Sequence, residues 1–427
     1  MSLFGIKGMR SYYAAATMAR VGDEMVAFAL VLLVLERTDR PALAGLTGAA
    51  YALPAVATGP LLGAWLDRTP YRRTALALNQ LVLGAVMLGM LAVVGHAPDW
   101  VTPALAAVAG TTLPMVSGGF TSMLPNLVPR ALLVRANSVE AASFGAATIT
   151  GPAAAATIAA AVSVETAVAV IAVTAAASIV ALTRLPALPP VGGATDEPFA
   201  RAVAAGIIHL MRNPPLRVST VASTLALGVS GLLLVTLPLH VASLGAPKAA
   251  SGYLWTAIEV GSVTTALLVG RRQLPWRPEH IVVLAVAAYA LAITTWPLAP
   301  DLPTLLVLAA LAGLLQGPMM PAMFTARQVY SPPDLQGRVS TTAASLRLGV
   351  MAIGQAVGGL LVPTVGTSVA LMVVAGGLLA AAALGRLSGL SRRRSVQDHR
   401  AGEVARLVGV EAKGERLGDG HPLSDDQ

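Results

Sequence analysis

Long apolar runs recur along the whole chain, and a short polar or proline-rich break separates each run from the next. A helix needs about 20 apolar residues to cross the hydrocarbon core of a bilayer. Runs of about that length lie at 12–35, 43–66, 74–95, 101–123, 137–161, 165–183, 217–241, 248–270, 280–299, 303–326, 338–362 and 366–387. This pattern predicts an all-α membrane protein with twelve transmembrane helices.

One break is much longer than the others and divides the predicted helices six and six. It opens with several prolines and then alternates apolar and polar residues at helical spacing from 197 to 212. We interpret this second part as an amphipathic helix lying on the inner membrane surface. The predicted organisation is an N-terminal six-helix half at 1–183, a cytoplasmic central loop at 184–216, a C-terminal six-helix half at 217–387, and a cytoplasmic tail at 388–427 that we expect to be mobile.

The two halves also share a weak internal repeat. Residues 138–143 match residues 340–345 at an offset of 202, and Gly151-Pro152 corresponds to Gly354-Gln355 after one residue of slippage. Many secondary transporters are built from duplicated halves that hold the ligand between them near the middle of the bilayer. The repeat therefore predicts two pseudo-symmetric halves with a binding site between them.

The charged residues are few and unevenly distributed. They make up 12% of the chain, whereas an ordinary soluble domain has about 25%. The formal charge of +8 is compatible with nucleic acid binding, but cytoplasmic loops of membrane proteins also collect Lys and Arg. If the N-terminus is inside, twenty basic residues fall in inner segments and three in outer loops. We therefore predict a multi-pass protein of the cell membrane with both termini cytoplasmic and no nucleic acid partner.

Several kinds of catalytic or cofactor site have no sequence signature in this chain. It contains no cysteine, no G-x-x-x-x-G-K-[ST] phosphate loop, no H-E-x-x-H or other compact histidine spacing, and no G-x-S-x-G elbow. We therefore expect no enzyme activity, no cofactor and no metal. Energy for any transport would come from an ion gradient or from a partner that the sequence does not reveal.

The segment that ends the second run carries a family resemblance. It reads Gly63-Ala-Trp-Leu-Asp67-Arg68-Thr-Pro-Tyr-Arg72-Arg73. This resembles motif A of the major facilitator superfamily, with a Pro-Tyr pair in place of the usual single glycine. The resemblance implies the major facilitator fold and a role for these residues as a gate that holds the cytoplasmic side closed. The alternative is a basic loop that serves only to set the membrane topology.

Two further segments refine the resemblance. Gly145 and Gly151-Pro152, in the fifth run, resemble the antiporter motif of the same superfamily, although alanines replace its last two glycines. Setting helix packing is the alternative role for these residues. The segments 19–23 and 125–137 resemble exporters related to enterobactin and macrolide efflux proteins.

Five charged residues fall inside predicted membrane spans, and each requires a physical reason because burial of a charge in the bilayer is costly. Arg20 can face Asp23 or Glu24 on its own helix, since they are three and four residues away. An acid left without a partner tends to bind a proton, because desolvation favours its neutral form. We predict that Asp23, Glu24 and Glu259 carry a proton-coupling step and that Arg20 and Arg347 compensate their charge changes. Static ion pairs that fix helix packing are the alternative.

The remaining polar residues of the spans give weaker indications. Gln80, Gln316 and Gln355 are candidates for solute contact, with hydrogen bonding between helices as the alternative role. Glu140 and Glu165 lie near the ends of predicted spans, where we expect them to reach water or lipid headgroups.

Taken together, these features predict a secondary transporter that exports a drug-like or natural-product solute in exchange for protons. Its partners would be the solute, protons and membrane lipids, and we expect a monomer. An uptake permease for a small nutrient is the alternative on the same fold. A membrane sensor that transports nothing is a further alternative, although the 40-residue tail is short for a sensory domain.

Overall fold

The computed structural model describes residues 3–69, 71–129, 132–185, 199–271, 276–331 and 336–389, and these residues form helices with no strand among them. The helices of the first half are α1 (Met9–Thr38), α2 (Pro41–Ala52), α3 (Pro54–Arg68), α4 (Arg72–Val93), α5 (Val101–Gly110), α6 (Phe120–Leu127), α7 (Leu133–Ala161) and α8 (Val164–Thr183). A further helix, α9 (Phe199–Arg212), follows before the second half. The second half contains α10 (Pro214–Ser230), α11 (Leu233–Ser243), α12 (Ser251–Arg271), α13 (Pro278–Ile293), α14 (Leu302–Gln316), α15 (Met319–Tyr330), α16 (Gln336–Val365) and α17 (Thr367–Gly389).

The all-α prediction is confirmed, and every predicted span coincides with one helix or with consecutive helices. By length and apolar content alone, eight described helical stretches could cross a membrane, or nine if α10 and α11 form one bent span. The helix α1 fails that criterion because its charged residues interrupt every apolar window. The helix α5 fails it because it is too short on its own.

Local sequence explains where spans are interrupted. The break between α2 and α3 falls at Leu53, directly before Pro54, which has no backbone N–H to donate. The helices α10 and α11 meet at an angle of 41°, next to Gly231. A π-helical turn at Met115–Gly119 separates α5 from α6. In α7 the helix continues through Pro152, so the predicted fifth span is a single continuous helix.

Several helices extend beyond the apolar runs that predicted them. The helix α1 begins at Met9 and ends at Thr38, and α15 continues to Tyr330. Polar residues at helix ends can continue the backbone hydrogen-bond ladder into the headgroup region, so hydropathy locates the middle of a span better than its ends. As a result Arg327, which the apolar pattern assigned to an inner loop, is a buried residue of α15.

The buried apolar residues form clusters that follow the two halves. One cluster takes all its members from residues 218–382. Two others take nearly all their buried members from residues 3–185. From the second half, Val235 and Ala249 belong to one of these two clusters, and Leu239, Tyr253 and Trp255 pack against it. Large apolar side chains such as Leu81, Leu291 and Val307 are exposed on the outside of the bundle. An apolar outer surface is what a bilayer requires of a spanning bundle.

The amphipathic helix predicted in the central loop corresponds to α9. Its Leu210 packs with Leu216, Val339 and Ala343 of the second half, while Ile207 and Ile208 are exposed. The rest of the predicted loop, at 186–198, and nearly all of the predicted tail, at 390–427, lie outside the described residues.

The halves contact each other closely at one end of the bundle, which we call the Asp39 end. There the Lys248 ammonium donates to Asp39 Oδ1 over 3.0 Å. A Cβ atom placed on Gly359 of α16 would lie 3.0 Å from the Cα atom of Gly45 in α2. Similarly, a Cβ on Gly252 of α12 would lie 2.7 Å from the carbonyl oxygen of Pro152 in α7. The helix pairs α2–α16 and α7–α12 therefore pack closely here because glycines allow it.

Candidate functional site

A cavity of about 280 Å³ lies between the two halves. The first half contributes α1 and α7 to its wall, and the second half contributes helices from α10 to α16. Most of the lining is apolar, with Phe28 and Trp255 supplying large side chains. A largely apolar cavity with a few polar groups is the usual form of a small-molecule site.

Two carboxylates line this cavity, one from each half. Glu24 projects from α1 beside Phe28, and Glu259 projects from α12 beside Trp255. Each aromatic residue lies four positions from its acid, so the pair shares one helix face. Within the described ranges neither acid forms an ion pair or a side-chain hydrogen bond. The site therefore holds two acids in a largely apolar environment, with no fixed counter-charge among the residues that the structure describes.

The backbone of α1 at Glu24 rests directly on α7. A Cβ on Gly151 would lie 2.5 Å from Glu24 Cβ and 3.1 Å from the Glu24 carbonyl carbon. Only glycine allows the two helices to approach this closely. Pro152, the next residue, lines the cavity itself. Gly145 lies further along α7, and a Cβ there would contact nothing within 4 Å.

The third predicted coupling acid, Asp23, has a different environment. The Tyr51 hydroxyl donates to Asp23 Oδ1 over 2.9 Å. Asp23 is not among the residues that line the cavity, because it is offset by one position from Glu24 and faces α2. The structure therefore separates Asp23 from the Glu24 and Glu259 pair.

Arg20 does not pair with Asp23 or Glu24, contrary to the expectation from spacing. Its guanidinium donates to Glu140 and Ser143 of α7 and lies 3.8 Å from the ring centroid of Phe144. Side chains on a helix lean toward its N-terminus, so Arg20 leans away from the acids that follow it and toward α7.

Glu140 is correspondingly buried and does not reach water, contrary to prediction. Its Oε1 also accepts hydrogen bonds from the hydroxyls of Tyr12, at 3.1 Å, and Thr121, at 2.9 Å. Buried charges in proteins are normally paired in this way. Glu140 neutralises Arg20 in this cluster, so no cation among the described residues pairs with Glu24. Glu165, by contrast, is partly exposed and accepts from Arg37 over 3.1 Å.

Arg347 does not pair with Glu259 in the described structure. Its Nη1 donates to the sulfur atoms of Met323, at 3.4 Å, and Met320, at 3.8 Å. Arg327 donates to the same Met323 sulfur over 3.3 Å. The predicted charge-compensating arginines therefore both lie apart from the cavity acids.

The three glutamines occupy three different environments. Gln316 lines the cavity. Gln355 is buried where α16 meets α2, and a Cβ on Gly45 would lie 2.5 Å from its backbone oxygen. Gln80 is buried within the first half, and no described residue hydrogen-bonds its side-chain amide.

The motif A-like segment is described only in part. The surroundings of Gly63 and the side chains of Asp67 and Arg68 lie outside the described residues. Arg72 is buried at the start of α4. Arg73 donates to the carbonyl oxygen of Leu185 over 2.8 Å, which ties this turn to the end of α8 within the same half.

Sequence reasoning missed Tyr51 as a partner of Asp23, and it missed Tyr289 in the cavity wall. The sequence contains one signal of this site, namely the four-residue spacing that separates each cavity acid from an aromatic residue. No group of three or more potential metal-binding acids or histidines occurs in the described part of the chain.

Comparisons with known proteins agree with this architecture. Residues 12–347 match the sequence profile of the Major Facilitator Superfamily. The chain is 30% identical to the uncharacterized MFS-type transporter y4rN of Sinorhizobium fredii, over 91% of this chain and 96% of that protein. It is 26% identical to the multidrug efflux pump Tap of Mycolicibacterium fortuitum, over 82% of this chain and 88% of that protein. The crystal structure of the nucleoside transporter NupG superposes with a TM-score of 0.75 at 13% identity, over 89% of this chain and 99% of that chain, which establishes the fold alone.

Proposed function

The chain belongs to the major facilitator superfamily, and from this premise we propose that it exports a drug-like or natural-product solute in exchange for protons. Proteins of this family are multi-pass membrane transporters of small solutes, and they are not enzymes. The solute would bind in the cavity between the halves, where Gln316 offers an amide for contact.

The observation that carries the proposal is the pair of cavity acids, for which the described part of the chain supplies no counter-charge. Negative charges on Glu24 and Glu259 would repel each other and would be poorly solvated by the apolar wall, so binding of protons would relieve both costs. Loss of those protons would free the acids to accept hydrogen bonds from donor groups of a solute. Proton and solute would then compete for the same cavity, which is the coupling that an exchanger needs.

The distribution of basic residues supports an orientation in which both termini are cytoplasmic. The Asp39 end would then face away from the cytoplasm, and the close contact of the halves there would correspond to an inward-facing state. Rocking of the two halves about the cavity would expose the site to the other side. In this cycle the inner face would be closed by the motif A-like residues Asp67, Arg68, Arg72 and Arg73. The contact at Gly151-Pro152 would act as the hinge between α1 and α7.

Two observations support export over uptake. The multidrug efflux pump Tap is a relative over most of both chains. The cavity wall also offers few polar groups with which to recognise a hydrophilic nutrient. An uptake permease remains the competing function, and the direction of pH-driven transport distinguishes the two.

Everted membrane vesicles provide the test. We expect vesicles that contain the wild type and have an acidic interior to accumulate at least one dye from a panel of anionic, neutral and cationic fluorescent amphiphiles. Glu24→Gln and Glu259→Gln should reduce this accumulation to the level of vesicles without the protein, while dye exchange without a pH gradient persists. Asp99→Asn, at an exposed ion pair outside the cavity, should behave as the wild type.

Two results would contradict the proposal. Full dependence of transport on the pH gradient in both glutamine variants would exclude these acids as coupling groups. Accumulation only in right-side-out vesicles with an acidic exterior would indicate uptake.

A further inference from the structure

Two arginines of the second half meet at a single sulfur atom. Arg327 of α15 and Arg347 of α16 donate to Met323 Sδ over 3.3 and 3.4 Å. Two positive charges thus lie side by side between neighbouring helices, in a part of the protein where charged side chains are costly.

No described residue supplies the negative charge that this pair requires. Neither arginine forms an ion pair in the part of the chain that the structure describes, and a thioether sulfur is only a weak acceptor. Arg327 is 4% exposed, and the Nε atoms of both arginines are buried without a hydrogen-bond partner. Arg20, in the first half, shows the contrasting arrangement, because Glu140 and Ser143 satisfy it.

The position of the pair relates it to the cavity. Arg347 lies four residues from Met351, and Met323 lies four residues from Met319, and both of these methionines line the cavity. Residues four apart share one helix face and differ by about 6 Å in height. Arg347 and the Met323 sulfur that both arginines contact therefore lie about one turn beyond the cavity wall, on the side away from the Asp39 end, and Arg327 reaches this sulfur from one turn further along α15.

From this geometry we propose that Arg327 and Arg347 form a binding site for the anionic group of the transported solute, a carboxylate or a group of similar charge. The inference rests on the proposed function, since it assumes that a solute passes through the cavity. Guanidinium groups bind carboxylates through paired, charge-assisted hydrogen bonds. The anion would supply the missing counter-charge, and the apolar body of the solute would extend toward Met319 and Met351.

In this arrangement, proton exchange and anion recognition would take place at different side chains. The cavity acids Glu24 and Glu259 would exchange protons, and the arginine pair would recognise the anion. Loss of anion recognition would therefore leave proton binding by the acids intact, and the two activities can be tested apart.

Binding of small aromatic probes tests the site without any transport assay. We would titrate the purified full chain in a non-ionic detergent with benzoate at constant ionic strength and follow its thermal unfolding. Benzyl alcohol and benzylammonium have a similar size but carry no charge or a positive charge. We expect only benzoate to raise the unfolding temperature of the wild type, because only benzoate can pair with the arginines.

Substitutions locate the site. Arg347→Gln and Arg327→Gln should each weaken benzoate binding by about tenfold or more, since each removes a charge-assisted donor group. Arg347→Lys keeps the charge but loses the planar fork, so its affinity should lie between those of the wild type and Arg347→Gln. Arg277→Gln, at an exposed arginine of the same half, should bind benzoate as the wild type does. Equal stabilisation by benzoate in Arg277→Gln and Arg347→Gln would overturn the proposal.

Two other occupants of the pair would also overturn it. Asp334 lies outside the described residues, and benzoate binding that appears only in Asp334→Asn would mean that this acid already neutralises the arginines. In phosphatidylcholine nanodiscs, loss of benzoate binding when phosphatidylglycerol is added would identify a lipid headgroup as the ligand. Benzoate binding that fails while pH-driven dye transport persists would refute this inference and leave the proposed function standing.

Discussion

The ionisable residues of the helices differ in how each is stabilised. Arg20 and Glu140 form a buried ion pair supported by hydroxyl donors. Asp23 accepts a hydrogen bond from Tyr51. Glu24 and Glu259 face the cavity with no such partner in the described structure. A buried pair is a fixed structural element, whereas an acid without a partner can gain and lose a proton as its surroundings change.

Glu140→Gln tests the structural part of this division. It removes the counter-charge of a guanidinium that remains buried, so we expect the free energy of unfolding to fall by about 3–5 kcal/mol. Asp99→Asn breaks the exposed ion pair with Arg40 and should cost at most about 1 kcal/mol. Denaturant titration of the purified protein in detergent measures both.

A small effect of Glu140→Gln, similar to that of Asp99→Asn, would mean that Arg20 is not held by Glu140. In that case Arg20 would be free to neutralise Glu24, and the proposal that Glu24 is a coupling group would lose its structural basis.

At the scale of the helices, closure of the Asp39 end depends on contacts that only glycine permits. The helices α2 and α16 approach at Gly45 and Gly359, and α7 and α12 approach at Gly252. Close packing of small residues is a general source of affinity between membrane helices. The closed end is therefore sensitive to single methyl groups.

Gly359→Ala should weaken this closure. The added Cβ would lie 2.5 Å from the carbonyl oxygen of Pro41, so α16 must move away from α2. The chain contains no cysteine, and Thr148→Cys would place a single thiol in the cavity. We expect an impermeant maleimide applied to intact cells to label this thiol several times faster when Gly359→Ala is present.

Gly376→Ala is the matched control, because a Cβ at Gly376 has nothing within 4 Å. Its labelling rate should equal that of the parent. Equal rates for both alanine variants would show that the α2–α16 contact does not control access to the cavity.

The sequence predicts well where the helices of this protein lie along the chain. It predicts poorly which surface of each helix faces the cavity or another helix. Every apolar run predicted to span the membrane coincides with one helix or with consecutive helices, and the motif-like segment at Gly151-Pro152 marked a close helix contact that the structure contains. Hydropathy could not tell that Gln316 lines the cavity while Gln355 lies between α16 and α2. These helices are apolar on all sides, since lipid and neighbouring helices are equally apolar, so no polar stripe marks the inward face.

The partner of Arg20 illustrates the same limit. Spacing along α1 identified Asp23 and Glu24 as candidates, and the observed partner Glu140 is 120 positions away on α7. The packing of α1 against α7 decides this pairing, and that packing is a property of the whole bundle. The expectation that Glu140 reaches water, which was inferred from its position near the end of a predicted span, was wrong for the same reason.

At the scale of the whole molecule, two halves with largely separate cores enclose one cavity. Separate cores would allow each half to move as a unit in the proposed cycle, with the glycine-dependent contacts at the Asp39 end as the close contact between them. In the proposed cycle a cavity acid from each half would connect movement of the halves to protonation, because separating or joining the halves would change the surroundings of Glu24 and Glu259 together.

Proton release on solute binding tests this account most directly. The purified protein would be placed in weakly buffered detergent solution with a pH indicator and mixed with the dye that it transports best. The account predicts that the wild type releases protons on binding and that the Glu24→Gln, Glu259→Gln double variant binds the dye without releasing them. Equal proton release by the wild type and the double variant would contradict it.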